Sequence, residues 1–333
     1  MNVRHLEYFL AIVEHGGVHR AAEALRVAQS SVSQTMRSLE RDLGVVLFHR
    51  VGRGIVLTPA GEGLVGSARA ILREVDNAQR VVTDIAQARG GHLDIAALPE
   101  LVTDPLANWI SSFLAEHPQV RCRVEQSADV GHVTEMIRNG TSEIGFVTVA
   151  SAGDLEYIRL VQQVYVLLCP PGSEDRWPDP VPIGMLRDEP FVLGERDSNV
   201  RELIESTLRR HGVEPRIALE ARQREAVLPI ALSGSGLGIT PLRLGAAYWQ
   251  RGGVVRELEP PISTTIYLVK RPGPLTVAGE AFLASARSSL ESWIDAVEES
   301  DPADPLVERA ARAMAEWDRR AAAAARTARH PED

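Results

Sequence analysis

Along the first sixty residues, apolar side chains recur at helical intervals, punctuated by glycines and short polar turns. Leu6, Phe9, Leu10 and Val13 line one face of a first helix that stops at Gly16-Gly17. Ala21, Ala22 and Leu25 face inward from a short second helix, and Arg26-Val27-Ala28 form the turn after it. Val32, Met36, Leu39 and Leu43 follow at spacings of four, three and four and are assigned inward positions on a third helix, which Gly44 ends. Two helices joined by a three-residue turn, the second rich in small polar residues, predict a helix-turn-helix. The stretch from Val46-Leu47-Phe48 through Ile55-Val56-Leu57, broken by Gly52 and Gly54, reads as a two-stranded wing.

Thr58-Pro59 supplies an N-cap and a first helical residue. Beyond it Leu64, Ala68, Ile71, Val75, Ala78, Val82 and Ile85 alternate at spacings of four and three, an apolar seam that Gly90-Gly91 terminates. A helix of about 30 residues would be roughly 45 Å long at 1.5 Å per residue. With one apolar stripe it needs a partner, so a dimerisation helix is favoured over packing on its own body. From His92 onward strands alternate with helices. Candidate strands are 93–97, 120–125, 143–149, 164–169, 191–193, 216–220, 236–240 and 265–270; helical stretches include 103–116, 130–139, 199–211 and 222–234. This alternation predicts α/β units around mostly parallel sheets. The proline-rich stretch 170–182 is expected to carry the crossing between subdomains, and 298–333 to be a solvated, partly frayed Ala/Arg-rich extension.

Charge sharpens this division. The formal net charge is −9 over 333 residues, yet residues 1–60 hold seven Arg against five acids and residues 91–333 carry −11. A mildly basic head on an acidic body fits a nucleic-acid contact confined to the head. Lys270 is the single lysine; arginine can fork onto phosphate or a guanine edge, although high-GC coding would produce the same bias. No apolar run reaches the roughly 18 residues of a membrane span, and the charged N-terminus lacks a signal-peptide core, so a cytoplasmic protein with no membrane partner is expected. Two cysteines exclude a disulfide scaffold and a cysteine-based structural zinc site.

The order of residues in the head is specific. The paired Ala before Leu25, the Gln29-Ser30 start, Leu39-Glu40, Leu43-Gly44, Leu47-Phe48, Arg50 and Leu57-Thr58-Pro59-Ala60-Gly61 closely resemble the winged helix-turn-helix of LysR-type transcriptional regulators. The resemblance extends in architecture over about residues 3–297. It implies a winged helix-turn-helix at 1–59, a linker and dimerisation helix at 60–90, and an α/β effector domain at 91–297 like type 2 periplasmic binding proteins. Its lobe I would comprise about 91–163 and 268–297, its lobe II about 164–267. Gly17-Val18-His19 departs from the usual Ser-Phe-Ser/Thr, and Ala28 stands where a Ser commonly caps the recognition helix. An Ala cap typically loses about 1 kcal/mol, unless Gln29 and Ser30 shift the cap by a residue.

With the apolar positions inward, Gln29, Ser30, Ser33, Gln34 and Arg37 point outward on the third helix. Gln can pair bidentately with adenine and Arg with guanine, while Ser hydroxyls and a helix N-terminus suit phosphate. The resemblance adds Ser31 to the DNA-facing set. Arg50 and Arg53, at the wing, could reach a phosphate or the minor groove. For a ligand between lobes, held at strand ends and helix starts, the candidates are Leu98, Pro99, Val102, Thr103, Ser127, Ser198, Asn199 and Arg201. For each, a local cap or turn is the competing role.

No Gly-x-Ser-x-Gly, His-Glu-x-x-His or Walker A sequence occurs, and Ser233-Gly-Ser-Gly-Leu-Gly reads as a tight helix-to-strand turn. No enzyme activity, cofactor or metal is therefore expected. Peroxide-sensing members of the family use two cysteines close together in one loop, whereas Cys122 and Cys169 lie 47 positions apart and read as packing residues. The expected partners are double-stranded promoter DNA, a small-molecule effector and further copies of the chain, as a homodimer or homotetramer; RNA polymerase is compatible with the same reading. The alternative is a ligand-binding or enzymatic α/β protein whose helical head mediates protein contacts only.

Overall fold

The computed structural model describes residues 1–51, 54–86, 91–196, 198–221 and 226–329. The chain forms two compact units, Met1–Gly91 with Glu135–Ser142, and His92–Thr134 with Glu143–Asp333. The first contains α1 (Val3–His15), α2 (Val18–Leu25), α3 (Gln29–Leu43), the antiparallel pair β1 (Phe48–Val51) and β2 (Gly54–Leu57), and α4 (Pro59–Ala86). Asn2 caps α1 through its side-chain oxygen, and Gly16 closes it in the left-handed conformation. One core gathers Leu6, Phe9 and Ile12 of α1, Ala21 and Ala22 of α2, and Val32, Met36 and Leu39 of α3, with Leu47 and Ala68. Leu43, expected inward, is 38% exposed. The helix ends at the next residue, left-handed Gly44, so its last side chain falls beyond the edge of the core.

The corner between wing and α4 is tightly specified. Thr58 donates its hydroxyl to the Val46 carbonyl at 2.8 Å and accepts the Gly61 N–H at 3.0 Å, capping α4 while holding the chain before the wing. Glycine is required at 61 because a Cβ would stand 2.3 Å from the Leu47 carbonyl oxygen. The apolar seam of α4 divides along its length. Leu64 and Ala68 pack against the head's own core, whereas Ile71 and Ala78 are exposed. The Val82 and Ile85 side chains lie outside the described residues.

From His92 onward, β3 (His92–Ala97) leads through α5 (Pro99–Leu101) into α6 (Ala107–Glu116), and β4 (Arg121–Gln126), α7 (Val130–Arg138) and β5 (Ile144–Val147) follow. The long β6 (Glu156–Cys169) leads to β7 (Val181–Pro182), β8 (Pro190–Gly194), α8 (Asn199–Arg210) and β9 (Arg216–Ala221). Next come α9 (Val227–Leu232), β10 (Gly238–Pro241), α10 (Leu242–Trp249), β11 (Val254–Arg256) and β12 (Leu258–Glu259). The return strand β13 (Ile262–Lys270), α11 (Val277–Glu298) and α12 (Leu306–Arg329) complete it.

The main sheet runs β10-β6-β13-β5-β3-β4, with β11 also on β6. It is mixed, not mostly parallel: β3 pairs in parallel with β4 and β5, but β6 and β13 run antiparallel to each other and β13 antiparallel to β5. At one end Trp109, Phe113, Phe146 and Phe282 pack ring against ring. At the other, Tyr165, Leu167, Phe191, Leu193, Leu208 and Ile262 share a second core. The proline-rich segment is not the crossing. Trp177, Val181 and Ile183 belong to that second core, and β6 and β13 run between the two.

The C-terminal extension also departs from expectation. Val307, Ala310, Ala311 and Met314 of α12 are buried against Val166, Leu168, Ala246, Tyr248 and Val255. Their i, i+3, i+4, i+7 spacing is a docking stripe that small alanines disguise as a solvated helix. Among the described residues no helix is long and apolar enough to cross a membrane. Because Met314 closes this core, Met314→Ala should lower the unfolding free energy by about 2 kcal/mol in a denaturant titration. Deleting 306–333 should expose Tyr248 and Val255 and drive aggregation on mild heating. A deletion variant that melts and stays dispersed like the intact chain would show that α12 does not support the body.

Candidate functional site

Among the described residues of the head, α3 carries a polar face. Burial of Val32, Met36 and Leu39 sets the rotation of α3, which leaves Gln29, Ser30, Ser31, Gln34 and Arg37 exposed and Ser33 half-buried. Ala28 occupies the cap position in extended conformation, and its side chain makes no capping hydrogen bond, so the cap does not shift to Gln29 or Ser30. The first turn of α3 therefore keeps backbone N–H groups for an incoming acceptor, at the positive end of the helix dipole. Gln34, Arg37, Glu40, Arg41 and Gly44–Val46 line a groove of about 780 Å³. Glu40 is engaged from within, accepting the Leu47 N–H at 2.8 Å, while Arg37 bonds the Ser33 carbonyl through Nε. Arg50 lies on β1 opposite Ile55; Arg53 lies outside the described residues.

The remaining candidates fall in two places. Ser127 donates its backbone N–H to Ala97 and Leu98 donates to Phe146, so the carboxyl ends of the three parallel strands β3, β4 and β5 are laced together. Leu98 is buried there, and Pro99, Val102, Thr103 and Ser127 are half-buried. Ser198, Asn199 and Arg201 sit instead at the start of α8, beyond the carboxyl end of β8 in the separate parallel pair β8–β9. The Ser198 hydroxyl caps α8, accepting the Arg201 N–H at 3.2 Å and donating to the Glu195 carbonyl. Arg201 is buried, pairing with Glu205 and bonding the Gly194 carbonyl. For these two the local structural role is the one that the geometry displays.

Sequence reasoning passed over a buried polar cluster. Glu100, on the single turn α5, is 6% exposed, and its Oε1 is sealed from solvent without a hydrogen-bond partner. Asp104 is 3% exposed; Gln163 of β6 donates to its Oδ2 at 3.0 Å, and the Arg243 Nε lies 3.7 Å from its Oδ1. Arg243 also donates to Asn108 at 3.0 Å and stacks over the rings of Trp293 and Trp317. Burial raises the Asp104 carboxyl from 3.8 to about 6, against the opposing pull of Arg243 and the Gln163 amide. Carboxylates placed among Leu98, Leu101 and Val102 were the available signal; the partners Gln163 and Arg243 come from distant sequence. Burial also pushes the Cys122 thiol to about 11 and the Cys169 thiol to about 12, far from the reactive thiolate range.

Comparison with known proteins agrees with this layout. The family model for bacterial regulatory helix-turn-helix proteins of the lysR family matches residues 3–62, and that for the LysR substrate binding domain matches 86–291. The HTH-type transcriptional regulator YfeR of Shigella flexneri is 27% identical over 282 residues, covering 84% of this chain and 91% of its own. A full-length OxyR variant from Pseudomonas aeruginosa superposes with a TM-score of 0.62 at 21% identity, covering 86% of this chain and 95% of that one. The LysR-family regulator CbnR in complex with its target DNA gives 0.56 at 24% identity, covering 86% and 99%.

The shifted carboxyl has a consequence with a definite sign. Asp104 holds its proton more tightly folded than unfolded, so its contribution favours folding below about pH 4 and is lost as pH rises through about 6. Two pH units correspond to at most about 3 kcal/mol. Asp104→Asn cannot ionise and should remove this slope. Stability of parent minus variant, from urea titrations at successive pH values, should fall between pH 4 and 6.5; a flat difference would refute the assignment.

Proposed function

Since the chain belongs to the LysR family of transcriptional regulators, we propose that it reads promoter DNA with the outward face of α3 and answers a small effector held by its α/β body. The observation that carries the first half is the sealed apolar face of α3 beneath an exposed run of Gln29, Ser30, Ser31, Gln34 and Arg37. The major groove, about 12 Å wide, admits a helix, where glutamine can pair with adenine and arginine with guanine. Ser33 and the uncapped N-terminus of α3 suit phosphate, which sets register without reading sequence. Arg50 and Arg53, at the wing, would supply further backbone or minor-groove contacts.

The second half rests on the fold rule that ligands sit off the carboxyl ends of parallel strands, where Leu98, Pro99, Val102, Thr103 and Ser127 are grouped. The effector acts by binding one conformation better than another; about 1.4 kcal/mol of difference changes the equilibrium tenfold. We assign the body no catalytic step, and we place the protein in the cytoplasm with its DNA. Dimerisation falls to the part of α4 beyond Ala68, since Leu64 and Ala68 are used by the head itself. Two heads then read a pseudo-palindrome. Association of the bodies into a tetramer and contact with RNA polymerase would extend the same assembly.

Two measurements test this reading. In gel shifts with DNA from upstream of its own gene, Gln29→Ala and Arg37→Ala should each weaken specific binding by about 1–3 kcal/mol, with little effect on random duplex. Parent affinity should fall steeply with salt. Equal losses on both duplexes would exclude base readout, and no salt-sensitive binding would favour a head that serves protein contacts only. Ile71→Glu should convert the assembly into monomers in light scattering at micromolar concentration; a parent protein already monomeric there would remove the dimer.

A further inference from the structure

The groove beside α3 brings a further arginine onto the polar face of that helix. At about 100° per residue, Arg41 falls between Gln34 and Arg37 on the outward arc and opposite buried Val32. Arg41 is exposed and lines the groove of about 780 Å³ together with Gln34, Arg37, Glu40, Val45 and Val46. The charged part of that lining is two arginines against one glutamate.

The helix itself holds the Arg41 guanidinium. Arg41 donates its Nε–H to the Arg37 carbonyl at 3.2 Å, as Arg37 does to the Ser33 carbonyl at 3.2 Å. Each fork is anchored through Nε, and its terminal amino groups keep donors that suit phosphate oxygens. The two anchors repeat every four residues, about 6 Å along the axis. Arg41 is not needed to finish the helix, because the Gly44 and Val45 N–H groups bond the Arg41 and Glu40 carbonyls. The adjacent acids have other partners. Glu40 accepts the Leu47 N–H at 2.8 Å, and Asp42 accepts from the Met1 amino group at 2.8 Å.

Length decides what Arg41 can reach. It stands twelve residues after Gln29, about 18 Å along the axis, whereas the major groove is about 12 Å wide. A helix that reads base edges with its first turns therefore carries Arg41 to the sugar-phosphate wall and not to the floor. We propose that Arg41 is a phosphate anchor: it grips the strand that bounds the major groove, seated between α3 and Val45-Val46, and fixes how far α3 enters. Such a contact sets register and carries no sequence information.

The inference rests on the proposed function for DNA as the partner and adds a residue and a kind of contact to it. The test is a salt series of gel shifts with the full chain on two duplexes, the DNA upstream of its own gene and one of random sequence. Arg41→Ala should weaken both by the same factor, about fivefold for each head at about 0.15 M salt. It should also flatten the slope of log affinity against log salt by about 0.9 per head. Arg41→Lys keeps the charge and should restore most of the affinity and the slope. The melting temperature of Arg41→Ala should match the parent's, since the side chain is exposed and backbone bonds close α3. A loss confined to the upstream duplex would make Arg41 a base reader and overturn the inference. Unchanged affinity and slope in Arg41→Ala would overturn it too, while salt-sensitive binding by the parent would leave the proposed function standing. A lower melting temperature, with a binding loss that Arg41→Lys does not restore, would assign Arg41 a structural role and overturn it as well. If the parent itself shows no salt-sensitive binding to either duplex, the proposed function falls and takes this inference with it.

Discussion

The body depends on one ladder, the antiparallel pairing of β6 with β13. It runs from Glu156 opposite Lys270 to Tyr165 opposite Ile262. At one end Leu268 and Val269 are buried beside β5; at the other Tyr165, Leu167 and Ile262 enter the second core. Both cores are thus strung on the same two strands, and the ion pair between Lys270 and Glu156 closes the ladder where the strands end. A register slip of one residue would turn every buried side chain to the opposite face. It would also turn away Gln163, the residue of β6 that meets Asp104.

That contact explains why a polar cluster can persist inside an apolar body. Asp104 gains an amide and a guanidinium from elements far away in sequence, and Arg243 in turn is covered by Trp293 of α11 and Trp317 of α12. The C-terminal helix is therefore part of the same construction, since its apolar stripe seals the core on which α10 and Arg243 sit. Glu100 has no such support on Oε1. Each of these two acids keeps one buried oxygen without a hydrogen bond, but only Asp104 has the Gln163 amide on its other oxygen and the Arg243 guanidinium nearby.

In the head the same logic operates with apolar contacts alone. Core burial fixes the rotation of α3, and the absence of a side-chain cap at Ala28 leaves the N-terminal amides of that helix open. The modest loss of helix stability from an alanine cap, about 1 kcal/mol, is compatible with a helix whose packed face holds it in place.

Much of this was legible along the chain. The period of Leu6, Phe9, Val32, Met36 and Leu39 determined the head's helices and, by subtraction, its polar face, because a helix has only one way to bury a stripe. The Thr58-Pro59 start of α4 and the alternation of strands and helices after His92 were equally local signals. Other features depended on chain-distant neighbours. The length and antiparallel sense of β6 could not be read from an apolar run that marks only its buried half, 164–169. The docking of α12 was hidden because alanine serves both a solvated helix and a close-packed one. The seam of α4 showed its period but not which residues the head would use. Glu100, Asp104, Gln163 and Arg243 carried no common motif, since what joins them is desolvation, a property of the packed protein and not of any residue's place in the chain.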